Sequence, residues 1–245
     1  MYTLAIANQK GGVGKTTTAA AIAQGLHNIG CKVFSLDTDP QANLSDLLQA
    51  KAGASLYDVI QGNAETAAAI QTTTAGDLLR AEKALASPKL QLTSRTIQDI
   101  LAPLQSRYDI AIIDTPPSLS KMMESALHAA NGVIVPTKAD KFSLIGLQEM
   151  YSSMKKAKPQ LELVGVIVTQ YNGRTTLNKA VLDALQQQAE IYHSRVIQPP
   201  IRRTIAIEEL QYTGTEDFYK DNSTAAQDYA EVCRQIARLI KLKRR

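Results

Sequence analysis

Long apolar runs are missing from these 245 residues. No run approaches the roughly 20 residues that a membrane-spanning helix needs, so integral membrane association is not expected. Cysteine is scarce. Cys31 and Cys233 have no metal-ligand spacing, and the simplest compartment for them is a reducing cytoplasm. There is no Pro/Gly/Ser-rich linker and no internal repeat, which leaves residues 1–245 as one expected domain. The first residues lead straight into an apolar strand-like segment and lack signal-peptide character. No charge of one sign dominates. Lys and Arg number 27 against 23 Asp and Glu, a net +4 with pI near 9.0, which biases the chain mildly towards anionic partners.

What is present is concentrated in Lys10-Gly11-Gly12-Val13-Gly14-Lys15-Thr16-Thr17. The apolar run Tyr2–Asn8 before it reads as a buried strand, and the Ala-rich run Thr18–Ile29 after it as a helix. Strand, glycine loop and helix together form the setting of a phosphate-binding loop. Glycines let backbone N–H groups approach an anion, and the helix N-terminus adds its positive dipole end. Lys15 is the residue to reach the β- and γ-phosphates, and the Thr16 hydroxyl is an Mg²⁺ ligand. Gln9 stands where the ordinary pattern has Gly, and a second lysine, Lys10, opens the loop. Placed there, Lys10 is better suited to a neighbouring molecule's phosphates than to its own.

Further acids fall at strand ends. Lys32–Leu36 reads as a strand ending in Asp37-Thr38-Asp39-Pro40-Gln41, and Tyr108–Asp114 as a buried strand ending in Asp114. Open α/β sheets bind ligands at such carboxyl ends. Asp37 and Asp114 are candidate metal-holding acids, and Asp39 is a candidate to orient the attacking water. Between these strands, short helices are expected at Leu44–Leu48, Ser55–Ile60 and Glu65–Ile70. A loop is expected at Thr72–Gly76, a strand at Asp77–Arg80 and a helix at Ser94–Leu104. Beyond, helices at Leu119–Ala130, Phe142–Ala157 and Thr175–Gln188 alternate with strands at Gly132–Pro136, Leu161–Thr169 and Glu190–Ile197. The alternation predicts an α/β fold: a mostly parallel twisted sheet with helices on both faces, like a P-loop NTPase.

Jointly these motifs resemble the ParA/Soj branch of the deviant Walker ATPases, which also includes MinD. The resemblance rests on Ala7–Thr18, Asp37–Asn43, Tyr108–Ser118 and Tyr171-Asn172-Gly173-Arg174-Thr175. It implies an ATP- and Mg²⁺-dependent ATPase that forms an ATP-sandwich homodimer, with nucleotide held by Lys10, Gly11, Gly12, Val13, Gly14, Lys15, Thr16 and Thr17. Lys10 matches the family's signature lysine, and Lys15 and Asp39 match residues of hydrolysis. Asn172 and Pro199 fall in regions that lie beside adenine. Arg174 and Arg202 match basic residues that contact non-specific DNA. The resemblance further implies a ParB-like stimulating partner and a cytoplasmic, nucleoid-associated protein that segregates a plasmid, mobile element or chromosome. A ParA-like positioner of protein cargo and a MinD-like membrane-associated ATPase are the alternatives.

Particular residues weigh on these alternatives. Pro40-Gln41 after Asp39 favours the ParA reading. The segment Ile197-Gln198-Pro199-Pro200-Ile201-Arg202 departs from the Ile-Pro-Arg-Asn-Val-Arg of Soj-like chains. The tail, Thr224–Arg245, reads as a helix with Tyr229, Val232, Ile236, Leu239 and Ile240 on one face and a basic end. It has no Phe or Trp of the kind a membrane-inserting helix uses.

Overall fold

The computed structural model describes residues 1–50, 52–214, 217–220 and 222–242. Its strands are β1 (Tyr2–Ile6), β2 (Val33–Asp37), β3 (Gln71–Thr73), β4 (Gly76–Leu79), β5 (Ile110–Asp114), β6 (Gly132–Lys138) and β7 (Glu162–Thr169). They form one sheet in the order β3-β4-β2-β5-β1-β6-β7. Only β3 runs antiparallel, paired with β4. The helices are α1 (Lys15–Asn28), α2 (Asn43–Leu47), α3 (Leu56–Ile60), α4 (Thr66–Ala69), α5 (Thr96–Leu101), α6 (Lys121–Ala129), α7 (Ser143–Ala157), α8 (Thr176–Ile191), α9 (Ile205–Thr213) and α10 (Thr224–Leu239).

The central strands are apolar on both faces because both are covered. Alternate residues feed opposite cores. Leu4, Ile6, Ile110 and Ile112 join α1 and α10 on one side. Ala5, Ala7, Ala111 and Ile113 join α5, α6, α7 and α8 on the other. Each fully buried Leu or Ile contributes roughly 1.5–3 kcal/mol of apolar burial to holding these layers together.

Helix α10 closes the first face over α1, with Tyr229, Val232 and Ile236 buried. The two helices come close because α1 is rich in alanine and carries Gly25. A Cβ at Gly25 would lie 2.5 Å from Cys233 Sγ and from the Tyr219 hydroxyl. The apolar stripe foreseen in the tail is therefore spent inside the molecule. Lys243, Arg244 and Arg245, the basic end of that tail, lie outside the described residues.

The topology fixes where a ligand can sit. Strands β1 and β5 are neighbours, in register from Tyr2 opposite Ile110 to Ile6 opposite Asp114. The chain leaves β1 for α1 on one face and β5 for α6 on the other. A crevice opens between the two departing loops, at the carboxyl ends of the strands.

Three local expectations differ from the structure. The loop foreseen at Thr72–Gly76 is half of a hairpin, in which Thr73 Oγ1 donates to the Gly76 carbonyl and accepts from the Ala75 N–H. The strand foreseen at Glu190–Ile197 is not formed, because α8 continues to Ile191 and only Val196 bridges to Val166. Helix α9 was not foreseen at all. Its signals are present: Thr204 caps it by accepting from the Ala206 N–H, and Gly214 follows its last residue.

Candidate functional site

The phosphate-type loop is built by turning a buried strand into a helix within a few residues. Gly12 (φ 69°) and Gly14 (φ 85°) both take left-handed backbone angles, which side chains on Cβ disfavour. Val13 between them is buried, and its carbonyl accepts from Thr169 Oγ1 at 2.8 Å. The Gly12 carbonyl accepts from Gln170 Nε2 at 3.3 Å. Asn8 ties the start of the loop down. Its amide donates to the Pro136 carbonyl at 2.7 Å, and its side-chain oxygen accepts from the Lys10 N–H at 2.9 Å. The first N–H groups of a helix have no carbonyl partner within it, and Gly14, Lys15, Thr16 and Thr17 at the start of α1 line the crevice.

Lys15 is almost fully buried, and its ammonium donates to the Lys10 carbonyl at 3.3 Å. Burial lowers its pKa, and the charges of Asp114 and Asp39 act against that shift. Asp114 is wholly buried at the end of β5, and neither carboxylate oxygen has a hydrogen bond of ordinary geometry, although the Thr16 hydroxyl lies close enough to lower its pKa. Burial raises its pKa well above the ordinary value, and the charge of Asp37 adds to this. The Thr16 hydroxyl and Lys15 pull the other way. A buried acid engaged by little besides a threonine hydroxyl is what a hard dication needs. Among the described residues no cluster of three or more His, Cys, Asp or Glu forms a cage for a metal. Mg²⁺ is ordinarily held by one or two side chains plus phosphate and water, so the residues fit that ion.

Asp39 lines the crevice, with one oxygen accepting from the Gln41 N–H at 3.0 Å. Neither Asp37 nor Asp114 lines it directly; both lie buried beneath its floor, and they differ in their hydrogen bonds. One Asp37 oxygen accepts from the Asp39 N–H at 3.1 Å. The other accepts from the Ser45 N–H at 2.8 Å and the Ser45 hydroxyl at 2.7 Å. The residue foreseen as a metal ligand is thus committed to holding the turn that presents Asp39. Burial raises the Asp37 pKa to about 6, with those hydrogen bonds acting against the rise.

The crevice encloses about 590 Å³ between the loop, Asp39, Pro117 and the end of α9 at Tyr212. A second cavity of about 170 Å³ adjoins it through Gly12, Gly14 and Thr17. Lys10 enters neither cavity. Its ammonium is 2.5 Å from Asp140 Oδ2 and 5.5 Å from the centre of the Phe142 ring. Burial pushes the Asp140 pKa up, but hydrogen bonds from Lys10, the Phe142 N–H and Ser143 hold it below the usual carboxylate value.

Comparison with known proteins bears on this geometry. The AAA domain family matches residues 1–163. Chromosome-partitioning ATPase Soj of Thermus thermophilus is 32% identical over 95% of this chain and 94% of its own length. The chain belongs to the ParA/Soj family of P-loop ATPases. Chromosome partitioning protein ParA of Caulobacter vibrioides is also 32% identical, over 95% of this chain and 92% of that protein. A solved structure described as cobyrinic acid a,c-diamide synthase from Mycobacterium smegmatis, with bound ADP and magnesium, is 33% identical. It superposes with a TM-score of 0.83 over 98% of this chain and 96% of its own.

Within this ParA-family chain, the two residues foreseen beside adenine line neither cavity. Asn172 is exposed, and its side chain folds back to accept from the Arg174 N–H at 3.1 Å. Neither Asn172 nor Pro199 lines the second cavity. The reason is the pairing of Tyr171 with Arg202. It lays Ile201–Thr204 beside the loop, and these residues, with Ile207, Glu208 and Tyr229, form the wall. The Arg174 side chain is exposed and has no partner among the described residues. Arg202 differs: its guanidinium is held by Asp228.

Proposed function

We propose that the chain is a single-domain, ATP-driven partitioning ATPase that binds Mg-ATP, dimerises around it and then binds DNA without sequence preference. The observation that supports this most is the buried Asp114, without a hydrogen bond of ordinary geometry, beside Lys15 and Thr16 of the glycine loop. When bound, Mg²⁺ would be held by Thr16 and, through water, by Asp114, and would neutralise phosphate charge. Lys15 and the loop N–H groups bind and orient the phosphates. Asp39, fixed by its bond from Gln41 and by the Asp37 turn, holds the attacking water. Lys10 acts on the partner protomer's nucleotide, and a ParB-like protein stimulates turnover and release. On this reading the chain segregates a plasmid, mobile element or chromosome on the nucleoid, as the names of its partitioning relatives suggest.

Arg174 is the DNA contact that this reading favours, because its side chain is exposed and has no partner among the described residues. The MinD-like alternative has less support. The apolar face of α10 is buried against α1, and no helix of the described residues is long and apolar enough to cross a membrane. Equilibrium binding of Mg-ATP-loaded protein to arbitrary duplex DNA tests the reading. Affinity should fall steeply with salt as phosphate contacts release counterions. Arg174→Ala should weaken it equally for all sequences. Binding to anionic liposomes and not to DNA would replace this reading with the MinD-like one.

A further inference from the structure

A buried acid on α10 shapes the second cavity. Asp228 is only 4% exposed, yet it takes three bonds from one residue. Its Oδ2 accepts from the Arg202 backbone N–H at 3.0 Å and from Arg202 Nε at 2.9 Å. Its Oδ1 accepts from Arg202 Nη2 at 2.7 Å. The same nitrogen donates to the Thr224 carbonyl at 3.3 Å. A planar guanidinium held at both prongs fixes direction as well as distance. Burial of the carboxylate on one side also protects the pair from screening by salt.

The next residue of α10 grips the opposite wall. Tyr229 is buried, and its hydroxyl lies 2.9 Å from the Thr18 hydroxyl, one residue past Thr17 in the first turn of α1. Consecutive side chains of one helix therefore hold the two sides of one cavity. The segment that carries Arg202 has backbone bonds of its own. Ile201 N–H donates to the Val168 carbonyl and Arg203 N–H to the Tyr171 carbonyl. Helix α9, which starts just beyond, has no fully buried side chain among those described; Ile207 and Leu210 are only partly buried against the core, so the chain that leads into it shares in its placement.

We propose that Asp228 and Arg202 are positioning residues for the nucleoside half of the ligand, holding Ile201–Thr204 and the start of α9 against the phosphate loop. The proposal rests on the nucleotide reading above. It also removes Arg202 from the DNA-contact surface, because its guanidinium is committed to Asp228. The groups that would bind phosphate lie on other elements, the loop, α1 and β5, while only the far end of α9, Tyr212–Gly214, borders the first crevice. The clamp is therefore selective: it acts on the base and ribose and leaves phosphate binding alone.

Two ligands separate these halves. On this reading Mg-ATP would occupy both cavities, whereas Mg-tripolyphosphate would occupy only the first. Calorimetry with Asp228→Asn and with Arg202→Lys is expected to show ATP affinity reduced about tenfold or more, the scale of a lost charge-assisted hydrogen bond. Tripolyphosphate affinity should remain within about twofold of wild type, because no phosphate-binding group is touched. Arg202→Lys keeps the positive charge and loses the fork. If Arg202 served DNA phosphates instead, that variant would leave ATP affinity unchanged, and the proposal would fail. Equal loss of both ligands would also overturn it, because the pair would then support the fold in general. Should Asp228→Asn not fold, the half-exposed Arg202→Lys decides alone. Wild-type protein that binds neither ligand would instead refute the nucleotide reading itself.

Discussion

Replacing Asp114 with Asn should make the ligand-free protein more stable while removing its response to Mg-ATP. The carboxylate is buried with neither oxygen in a hydrogen bond of ordinary geometry, and it stands opposite Asp37 on the neighbouring strand. Adjacent strands are about 5 Å apart. At an effective dielectric constant near 20, two charges at that distance repel by roughly 3 kcal/mol. Lys15 and Thr16 offset part of this, and a buried amide keeps some desolvation cost of its own. The expected net gain for Asp114→Asn is about 1–2 kcal/mol, which in a chain of this size raises Tm by about 2–8 °C. The sign with pH follows from the raised pKa values. In the unfolded chain these carboxylates ionise near pH 4. Folded Asp37 holds its proton to about 6, and Asp114 holds its proton well above the ordinary value. Wild-type apo stability therefore falls as pH rises through the folded-state values, and the variant's falls less steeply. Scanning calorimetry in chelator at pH 6 and pH 8, then with Mg-ATP, reads all three effects. A variant less stable than wild type without ligand, or one with an undiminished Mg-ATP shift, would refute the reasoning.

Two other substitutions test neighbouring parts. Asp39→Ala should retain bound ATP, because Lys15, Thr16 and Asp114 are untouched, while single-turnover hydrolysis slows by about 100-fold or more; unchanged turnover would remove Asp39 from catalysis. Asp140→Asn should release Lys10 and tighten ATP-dependent dimerisation by up to about fivefold per site, the limit for a half-exposed ion pair of about 1 kcal/mol; weaker dimerisation measured by sedimentation would show that the pair supports the interface rather than restraining it.

The glycine loop, the strand-end acids and the alternation of strands and helices were legible because each is a local pattern with one structural solution. Lys15, Thr16 and Asp114 meet where the spacing places them. The hydrogen bonds that engage Asp37 were not foreseen because Ser45 lies eight residues on, across a turn that no periodicity marks. The wall of the second cavity escaped for a similar reason. Asn172 and Pro199 were assigned by resemblance, while the pairing of Tyr171 with Arg202 depends on tertiary contacts of a segment that departs from the family pattern. Helix α9 was missed although Thr204 and Gly214 marked its ends, since its short run Ile205–Leu210 carries no long apolar stripe. The ion pairs Lys10–Asp140 and Arg202–Asp228 join residues 130 and 26 positions apart and cannot be read from one sequence.

The central claim is that ATP joins two copies of this chain through Lys10. Its ammonium lies outside its own nucleotide cavity, so removing it should cost little within one protomer. Across a water-excluded interface it would face the partner's phosphates in a strong charge-assisted contact. Light scattering with a slowly hydrolysed ATP analogue and Mg²⁺ measures this directly. The account predicts a dimer for wild type and a monomer for Lys10→Ala that still binds ATP. A Lys10→Ala protein that dimerises as wild type does would contradict it.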